Sequence, residues 1–378
     1  MPRLAVRAPV SQLVPMLDPY PFSLFANPHA GVPGTEVLSA SGFRAAREAI
    51  MSWPGYAQTP LRDLPAIAAR VGVAAVRLKD EAERFGLGSF KALGGAYAVA
   101  QLLRAGHPAA VVTVTCATDG NHGRSVAWGA QRFGCRCVIF IHQTVSAGRA
   151  EAIARYGAEV RRVGGTYDDA VREAARVAAA EGWFVVSDTS WPGYTAVPVD
   201  VMQGYRLMAD EAADQWAGAP PTHVFMQGGV GGAAAAVSVQ MRARYALPPG
   251  LVVVEPDHAA CLLASAELGT LTTVAGALDT IMAGLACGEP SLLAWTELER
   301  GAAAFMAVPD AAAIACMKLL AGVGIIAGES GVAGLAGFLL AAADPAARET
   351  LGLRADSRVL LFSTEGATDP ELYHRLVG

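Results

Sequence analysis

The sequence has few of the features that mark nucleic-acid-binding proteins or disulfide-stabilised secreted proteins. Charged residues make up only 17% of the 378 positions, and 29 basic against 34 acidic side chains give a net charge of −5 without a stripe of Lys or Arg. Because nucleic-acid-binding surfaces are basic, this balance argues against one. Six cysteines without a Cys-x-x-Cys pair do not form a secreted disulfide framework. Cys135 and Cys137 lie in an apolar run, where we expect core packing.

Long apolar segments are also missing. Seven prolines within residues 2–33 leave no continuous apolar region for a signal peptide. The most apolar later stretch, residues 319–343, is interrupted by the tetrapeptide Gly328–Gly331, which contains a carboxylate. A charged turn at this position argues against a transmembrane helix. We therefore expect a cytoplasmic protein whose partners are small molecules, with no membrane or nucleic acid among them.

Apolar strand-like runs alternate with Ala-rich helical patterns along most of the chain. Strands are predicted over residues 111–116, 137–141, 160–163, 183–187, 223–227, 251–255 and 359–363. Helical patterns of about 10 to 15 residues separate most of them, which is typical of βαβ units. The sequence therefore predicts an α/β fold with two open, twisted, mostly parallel sheets flanked by helices. Residues 1–100 and 205–378 would form a large domain, and residues 101–204 a small one.

Lys91 is the first candidate for chemistry. It lies in the segment Gly88–Gly95, where a loop runs into a helix, and its neighbours Phe90, Leu93 and Tyr97 are apolar. Partial burial lowers the pKa of an amine and makes it a nucleophile toward aldehydes. A solvated surface lysine is the alternative interpretation.

A glycine-rich turn, Gln227–Gly232, follows a predicted strand and precedes an Ala-rich helix. Amides at a helix N-terminus form an anion site that suits a phosphate. The spacing matches neither the dinucleotide-binding motif nor a P-loop. Tight packing of the helix on the sheet is the alternative. Lys91 and this turn are far apart in the sequence, which suits one small phosphorylated aldehyde held at both ends across a cleft.

Another strand-to-helix turn, Thr118–Gly123, contains three polar side chains in four positions. Asp119 and Asn121 lie at or near the helix start, where capping is their ordinary role. One cap is sufficient, so we favour a functional role for this turn. His122 by itself is interpreted as a structural hydrogen-bonding residue.

Polar side chains also follow other predicted strands and turns. Asp188 ends a strand before a Pro-Gly turn, Glu329 lies in a turn of small residues, and Ser363 and Thr364 follow the last strand. A hydroxyl at the end of that strand could face a pyridine nitrogen. Ordinary caps and turns would explain these residues as well.

These motifs, in this order, resemble those of the fold-type II pyridoxal-phosphate enzymes, the group of tryptophan synthase β and threonine dehydratase. Within that group the sequence is most similar to the diaminopropionate ammonia-lyases, from about residue 20 to the C-terminus. The segments that carry the resemblance are TDGNHGRSVAWGAQ, DTSWPGY, MQGY, PTHVFMQGGVGG, VEPD, TIMAGLACGEPSLLAW, GESG and FSTEGATD.

The resemblance implies pyridoxal 5'-phosphate as the cofactor, with no metal ion. Lys91 would bind the cofactor covalently, with Phe90 beside the ring and Asn121 on the phenolic oxygen. Ser363, alone or with Thr364, would face the pyridine nitrogen. The remaining cofactor-binding groups would be the phosphate-binding amides of Gly228, Gly229, Val230, Gly231 and Gly232, and Glu329 near the ring.

The activity implied by the resemblance is the α,β-elimination of D- and L-2,3-diaminopropionate to pyruvate and two ammonia. Lys91 and Asp119 would take the Cα proton from opposite faces, and Asp188 would bind the β-ammonium group. Many relatives in the wider group have Ser, Gly or Ala in place of Asp119. A serine or threonine dehydratase, a β-replacing synthase, and a cofactor-binding or ligand-sensing protein with an inactive site remain alternatives.

The resemblance also implies a homodimer. The chain is slightly shorter than is usual for these lyases between Leu320 and Ile325, which bears on the dimer contacts more than on the chemistry. Cys261 and Cys287 could pair as a disulfide, although free thiols are the favoured state in the cytoplasm.

Overall fold

The computed structural model of the protein describes residues 20–118, 120–165 and 167–378, with the backbone alone at residue 168. The strands are β1 (Ser23–Ala26), β2 (Leu61–Asp63), β3 (Ala75–Asp80), β4 (Thr113–Ala117), β5 (Arg136–His142), β6 (Glu159–Val163), β7 (Phe184–Val185), β8 (His223–Gln227), β9 (Gly250–Pro256), β10 (Ala304–Val308) and β11 (Arg358–Ser363).

The α-helices are α1 (Ala40–Met51), α2 (Pro65–Val71), α3 (Ala92–Arg104), α4 (Asn121–Phe133), α5 (Ala147–Ala154), α6 (Tyr167–Glu181), α7 (Ala196–Gln215), α8 (Gly232–Arg244), α9 (Cys261–Leu268), α10 (Leu292–Gly301), α11 (Asp310–Gly322), α12 (Ala333–Ala343), α13 (Pro345–Leu351) and α14 (Pro370–Val377). Most of them follow a strand, as the alternating pattern predicts.

Two separate sheets form the framework. The larger sheet has the strand order β1-β10-β9-β8-β11-β3-β2, and the smaller one has the order β6-β5-β4-β7. Every pair in the smaller sheet is parallel, and the larger sheet is antiparallel only at its edge strands β1 and β2. Strands β8 and β10 are buried along their whole length, as expected for parallel strands covered on both faces. The prediction of two mostly parallel sheets flanked by helices is confirmed.

The four strands of the smaller sheet all fall within the segment 101–204 that was predicted to be the small domain. The two predicted boundaries, however, lie inside α3 and α7, which run without interruption across them. The division into a large and a small domain stays a prediction.

The helices α3 and α7 pack together at very short range, with α4 on the other side of α3. A Cβ atom at Gly204 of α7 would overlap the carbonyl oxygen of Leu93 in α3. Glycine is therefore required where these two helices meet. Since α3 begins directly after Lys91, this packing fixes the position of the lysine.

A buried ion cluster, formed by Lys79, Glu81, Arg84 and Glu211, lies beneath the loop that leads to Lys91. Each of these side chains is at most 1% exposed. Glu211 accepts hydrogen bonds from Lys79 Nζ and Arg84 Nη2, both at 2.7 Å. Arg84 Nη2 also lies 2.8 Å from Glu81 Oε1. The charges of the two cations and the two carboxylates thus neutralise one another without contact with solvent.

Within the described ranges, no helix is both long and apolar enough to span a bilayer. Cys261 and Cys287 are not joined by a disulfide bond. Cys137 is buried in the core, as predicted, whereas Cys135 is partly exposed.

Candidate functional site

A cavity lies where the carboxyl ends of strands from both sheets meet. The larger sheet contributes residues that follow β3, β8, β9, β10 and β11, and the smaller sheet contributes residues that follow β4, β5, β6 and β7. Such a crevice at strand ends is the usual ligand site of open α/β folds. The residues predicted from the sequence that line it are Phe90, Lys91, Asn121, Asp188, Gly229, Val230, Gly231, Gly232, Glu329 and Thr364.

Lys91 and Asp188 form an ion pair inside this cavity. Lys91 Nζ lies 2.5 Å from Asp188 Oδ2, and each side chain is 19% exposed. Burial acts to lower the pKa of Lys91, but the Asp188 carboxylate outweighs it and raises this pKa above the ordinary value. Burial likewise acts to raise the pKa of Asp188, and the Lys91 ammonium holds it well below the usual range.

The lysine is thus partly buried, as predicted, but the expectation of a lowered pKa is wrong. The apolar neighbours of Lys91 suggested that burial alone would decide its charge. A carboxylate 97 positions away along the chain reverses the effect, because a close opposite charge favours the ionised amine.

His122 has the structural role that the sequence predicts. Its Nε2 lies 2.7 Å from the carbonyl oxygen of Val186, so Nε2 carries the proton. Burial lowers the pKa of His122, which leaves Nδ1 as an acceptor. That atom lies 3.7 Å from Asp188 Oδ2 and has no hydrogen-bond partner in the described part of the chain.

The glycine-rich turn combines a tightly packed residue with amides that have no acceptor among the described residues. The amide of Gly228 donates to the carbonyl of Val254 at 2.8 Å, and a Cβ at Gly228 would lie 2.6 Å from Val253 Cγ1. Gly228 is therefore a packing residue, and the prediction that its amide holds a phosphate is wrong. The amides at positions 229–232 donate to no acceptor among the described residues. Gly231 has a φ of 95°, which favours glycine.

A cluster of polar side chains lines the cavity, formed by Asn121, Arg124, Gln227, Thr364 and Glu365. The side-chain amide of Asn121 donates to a carboxylate oxygen of Glu365, and its Oδ1 accepts from Arg124 Nη2 at 2.7 Å. Gln227 Nε2 donates to Thr364 Oγ1 at 2.7 Å. Thr364 is therefore held with its hydroxyl in a fixed orientation beside the cavity.

Asn121 does not cap α4. The N-cap residue of that helix is Gly120, which has no side chain to accept a hydrogen bond. The hydroxyl of Thr118 takes over this function, because Thr118 Oγ1 accepts from the amides of Gly120 at 3.0 Å and Gly123 at 3.1 Å. The side chain of Asn121 is thus not needed for the cap and lines the cavity instead. Asp119, the predicted second base, lies outside the described residues.

Ser363 and Glu329 occupy different surroundings. Ser363 is fully buried, with its hydroxyl 3.4 Å from the carbonyl oxygen of Glu365, and the cavity lining includes Thr364 in its place. Glu329 is 2% exposed and accepts from Arg149 Nη2 at 3.0 Å. Burial, followed by the charge of Glu365, raises the pKa of Glu329 to about 7.

The cavity residues that the sequence analysis gave no role include Arg149, Tyr205 and Glu365. Glu365 lies in the FSTEGATD segment and Tyr205 in the MQGY segment, so both belong to motifs that were noted without a role. Arg149 lies in no motif. Only the three-dimensional approach of α5 to Glu329 identifies it.

Comparison with known proteins identifies the family. Residues 52–365 match the family model described as pyridoxal-phosphate dependent enzyme. The chain is 40% identical to the diaminopropionate ammonia-lyase of Escherichia coli (strain K12) over an alignment of 368 residues. This alignment covers 90% of this chain and 92% of that protein. The chain belongs to the diaminopropionate ammonia-lyase family. The lyase from Salmonella typhimurium (strain LT2) is 38% identical, covering 86% of this chain and 89% of that protein.

Solved structures of the E. coli diaminopropionate ammonia-lyase have the same fold. The structure of its complex with D-serine gives a TM-score of 0.89 at 37% identity, covering 95% of this chain and 97% of that one. The complex with an aminoacrylate-PLP azomethine reaction intermediate gives a TM-score of 0.87 at 38% identity, with the same coverage. The resemblance to fold-type II enzymes and the cofactor prediction, pyridoxal 5'-phosphate (PLP), are thereby confirmed.

The residues of the cavity fit this cofactor of the lyase family. PLP presents an aldehyde, a phosphate and a pyridine ring. The amine of Lys91, the unpaired amides at positions 229–232 and the oriented hydroxyl of Thr364 offer one complementary group to each of them. A helix N-terminus with free amides also favours the phosphate charge electrostatically.

Proposed function

We propose that this protein eliminates ammonia from both isomers of 2,3-diaminopropionate, giving pyruvate and two ammonia in a PLP-dependent reaction. The observation that carries the proposal is the Lys91–Asp188 ion pair, which lies in the cavity beside the free amides of the glycine-rich turn. Identity of 40% to a lyase with this activity in its name supports the choice of substrate.

Lys91 is proposed to act twice. Its amine would hold the cofactor aldehyde through a C=N bond, formed with loss of water, and would be freed when the substrate amine takes its place. The bound cofactor supplies an electron sink for the charge that develops at Cα. The displaced Lys91 amine remains within the cavity, where Nζ accepts the Cα proton from one face of the substrate. Positioned bases of this kind contribute about 10²- to 10⁴-fold in rate.

Asp188 is proposed to recognise the β-ammonium group of the substrate. Its carboxylate is paired with the Lys91 ammonium and stays ionised because that cation lowers its pKa. With the Lys91 nitrogen bonded to the cofactor, the Asp188 carboxylate would no longer have the Lys91 ammonium as its partner. The β-ammonium of diaminopropionate replaces the missing cation, whereas the hydroxyl of serine does not.

Asp119 is proposed to act as the base for the opposite face of the substrate. The support is the sequence resemblance, since the lyases have Asp at this position where many other members of the group have small residues. The same resemblance supports the proposal of a homodimer, and the cytoplasmic location stays a prediction from the sequence.

The proposal is tested by incubating the purified protein and PLP with each isomer of diaminopropionate and of serine. We expect pyruvate and two equivalents of ammonia from both diaminopropionate isomers, and slower pyruvate release from serine. Faster release from either serine isomer would identify a dehydratase. A protein that binds PLP and releases no pyruvate from any of the four compounds would be a binding protein.

Substitution of Asp188 by Asn tests the recognition of the β-ammonium group. Hydrogen bonds to charged groups are worth about 1.5 to 3 kcal/mol, so kcat/KM for diaminopropionate should fall about 10- to 100-fold. The value for D-serine, which has no β-ammonium, should fall by a smaller factor, because that substrate loses only the effect of the ion pair on Lys91. Asp200→Asn is the matched control, because this partly buried carboxylate on α7 is outside the cavity lining. Equal losses for the two substrates in Asp188→Asn would contradict the proposal.

Substitution of Asp119 by Asn tests the second base. One isomer of diaminopropionate should lose about 10²- to 10⁴-fold in kcat, because its Cα proton has no acceptor on that face. The other isomer should retain its kcat within about 3-fold, since Lys91 serves it. The exposed carboxylate of Asp257 provides the control, Asp257→Asn. An equal loss for both isomers would argue against two bases on opposite faces.

A further inference from the structure

Tyr205 is a buried tyrosine of the cavity for which the proposed reaction has no role. It comes from α7, is 1% exposed and lines the cavity together with Lys91 and Asp188. Its ring lies 4.7 Å from that of Phe90, measured between centroids. A Cβ at Gly94 would overlap the Tyr205 ring. The ring is therefore fixed in one position by packing on two sides.

The hydroxyl of Tyr205 is buried and has no hydrogen-bond partner among the residues that the structure describes. An unsatisfied buried polar group costs about 1 to 3 kcal/mol. Phenylalanine would fill the same space without that cost. The hydroxyl is thus a group whose presence the packing does not explain, and unsatisfied groups of this kind point to a function.

The charged groups that act on Tyr205 are the two members of the ion pair, Lys91 and Asp188. Lys91 Nζ lies 5.6 Å from the centre of the Tyr205 ring. Burial is the main cause that raises the pKa of Tyr205, and Lys91 and Asp188 act on it in opposite directions. The phenol therefore keeps its proton near neutral pH and presents both a donor and an acceptor to this pair.

We infer that Tyr205 is a positioning residue that orients the Lys91 amine while Lys91 is detached from the cofactor. The phenolic O–H donates to the Asp188 carboxylate, and the phenolic oxygen accepts an N–H of Lys91. The remaining lone pair of Nζ then points into the cavity, toward the Cα proton. After proton transfer the new ammonium is held by the same oxygen and by Asp188. This inference rests on the function proposed above.

The variant Tyr205→Phe keeps the ring and removes only the hydroxyl. For the diaminopropionate isomer whose kcat survives Asp119→Asn, we expect kcat to fall about 10-fold or more with KM unchanged within about 2-fold. The other isomer should lose less. Tyr97→Phe is the matched control, since Tyr97 lies on the adjacent α3, is also 1% exposed and is outside the cavity lining.

A second measurement separates this role from damage to the fold. A hydroxyl that accepts from the Lys91 ammonium stabilises its charged form, so Tyr205→Phe should lower the pKa of Lys91. A fall of 0.5 to 1 pKa unit makes the reactive neutral amine about 3- to 10-fold more abundant at a fixed pH. PLP added to the apoprotein should therefore react faster with the variant than with the wild type, as followed by the absorbance of the new C=N bond.

Slower turnover together with faster cofactor attachment would support the inference. Unchanged or slower attachment, or an equal loss of kcat for both isomers, would overturn it. If the wild type released no pyruvate, the proposed function and this inference would both fall. If the wild type were active and Tyr205→Phe matched it, the inference alone would fall.

Discussion

Replacing Lys91 with alanine will reduce pyruvate release from both diaminopropionate isomers by at least about 10⁴-fold. The substitution removes the covalent attachment of the cofactor, and it also removes a general base that is itself worth about 10²- to 10⁴-fold in rate. The absorbance of the cofactor's C=N bond should disappear as well. Both effects are measured on the purified variant after incubation with PLP. Residual turnover within about 100-fold of the wild type would exclude Lys91 from this role.

The chain offers an unusually clean control for this experiment. It contains only three lysines, at positions 79, 91 and 318. Lys318 is exposed on α11, and Lys318→Ala should retain full activity. Borohydride reduction followed by peptide mass analysis should place the cofactor on Lys91 alone. Lys79 is fully buried and held by Glu211, so a label on either of the other two lysines would contradict the assignment.

Replacing Glu211 with alanine should have the largest effect on stability. Glu211 accepts from Lys79 and Arg84 within the buried ion cluster, where every side chain is at most 1% exposed. Its removal leaves two buried cations with a single carboxylate, Glu81. Breaking a buried pair in this way costs about 3 to 5 kcal/mol, which urea unfolding at neutral pH measures.

The effect of Glu211→Ala should extend to the cavity. Arg84 begins the short turn Arg84–Gly86, which leads into the Lys91 loop, so a disturbed cluster should also weaken PLP binding. Glu173 pairs with Arg176 on an exposed face of α6. The control Glu173→Gln should leave the unfolding midpoint unchanged. A midpoint for Glu211→Ala as high as that of this control would show that the cluster does not stabilise the fold.

Local sequence patterns predicted the sheets well where strands are buried on both faces. The strand predicted at residues 223–227 agrees with β8, because an apolar run bounded by a glycine-rich turn has few other interpretations. The strand β10 (Ala304–Val308) was not predicted, although all five residues are buried. Its two alanines are unfavourable in strands, and its pairing with β9 and β1 makes it a strand.

The site was predicted less completely, because its charges act across long sequence separations. Each of Lys91 and Asp188 was a candidate by itself, but nothing local indicates that they form a pair or that the pair raises the pKa of the lysine. Gly228 and Gly229 look alike in the sequence. Only the sheet hydrogen bond to Val254 shows that the amide of Gly228 is already in use.

The two sheets supply different parts of the proposed site. Lys91, the glycine-rich turn and Thr364 follow strands of the larger sheet, whereas Asp188 follows a strand of the smaller one. The groups proposed to bind the cofactor, apart from Asn121, therefore follow strands of the larger sheet. Asp188, which is proposed to bind the β-ammonium group of the substrate, follows a strand of the smaller sheet. Substitutions near the smaller sheet can therefore change which amino acid is preferred during evolution, while the cofactor-binding residues of the larger sheet are retained.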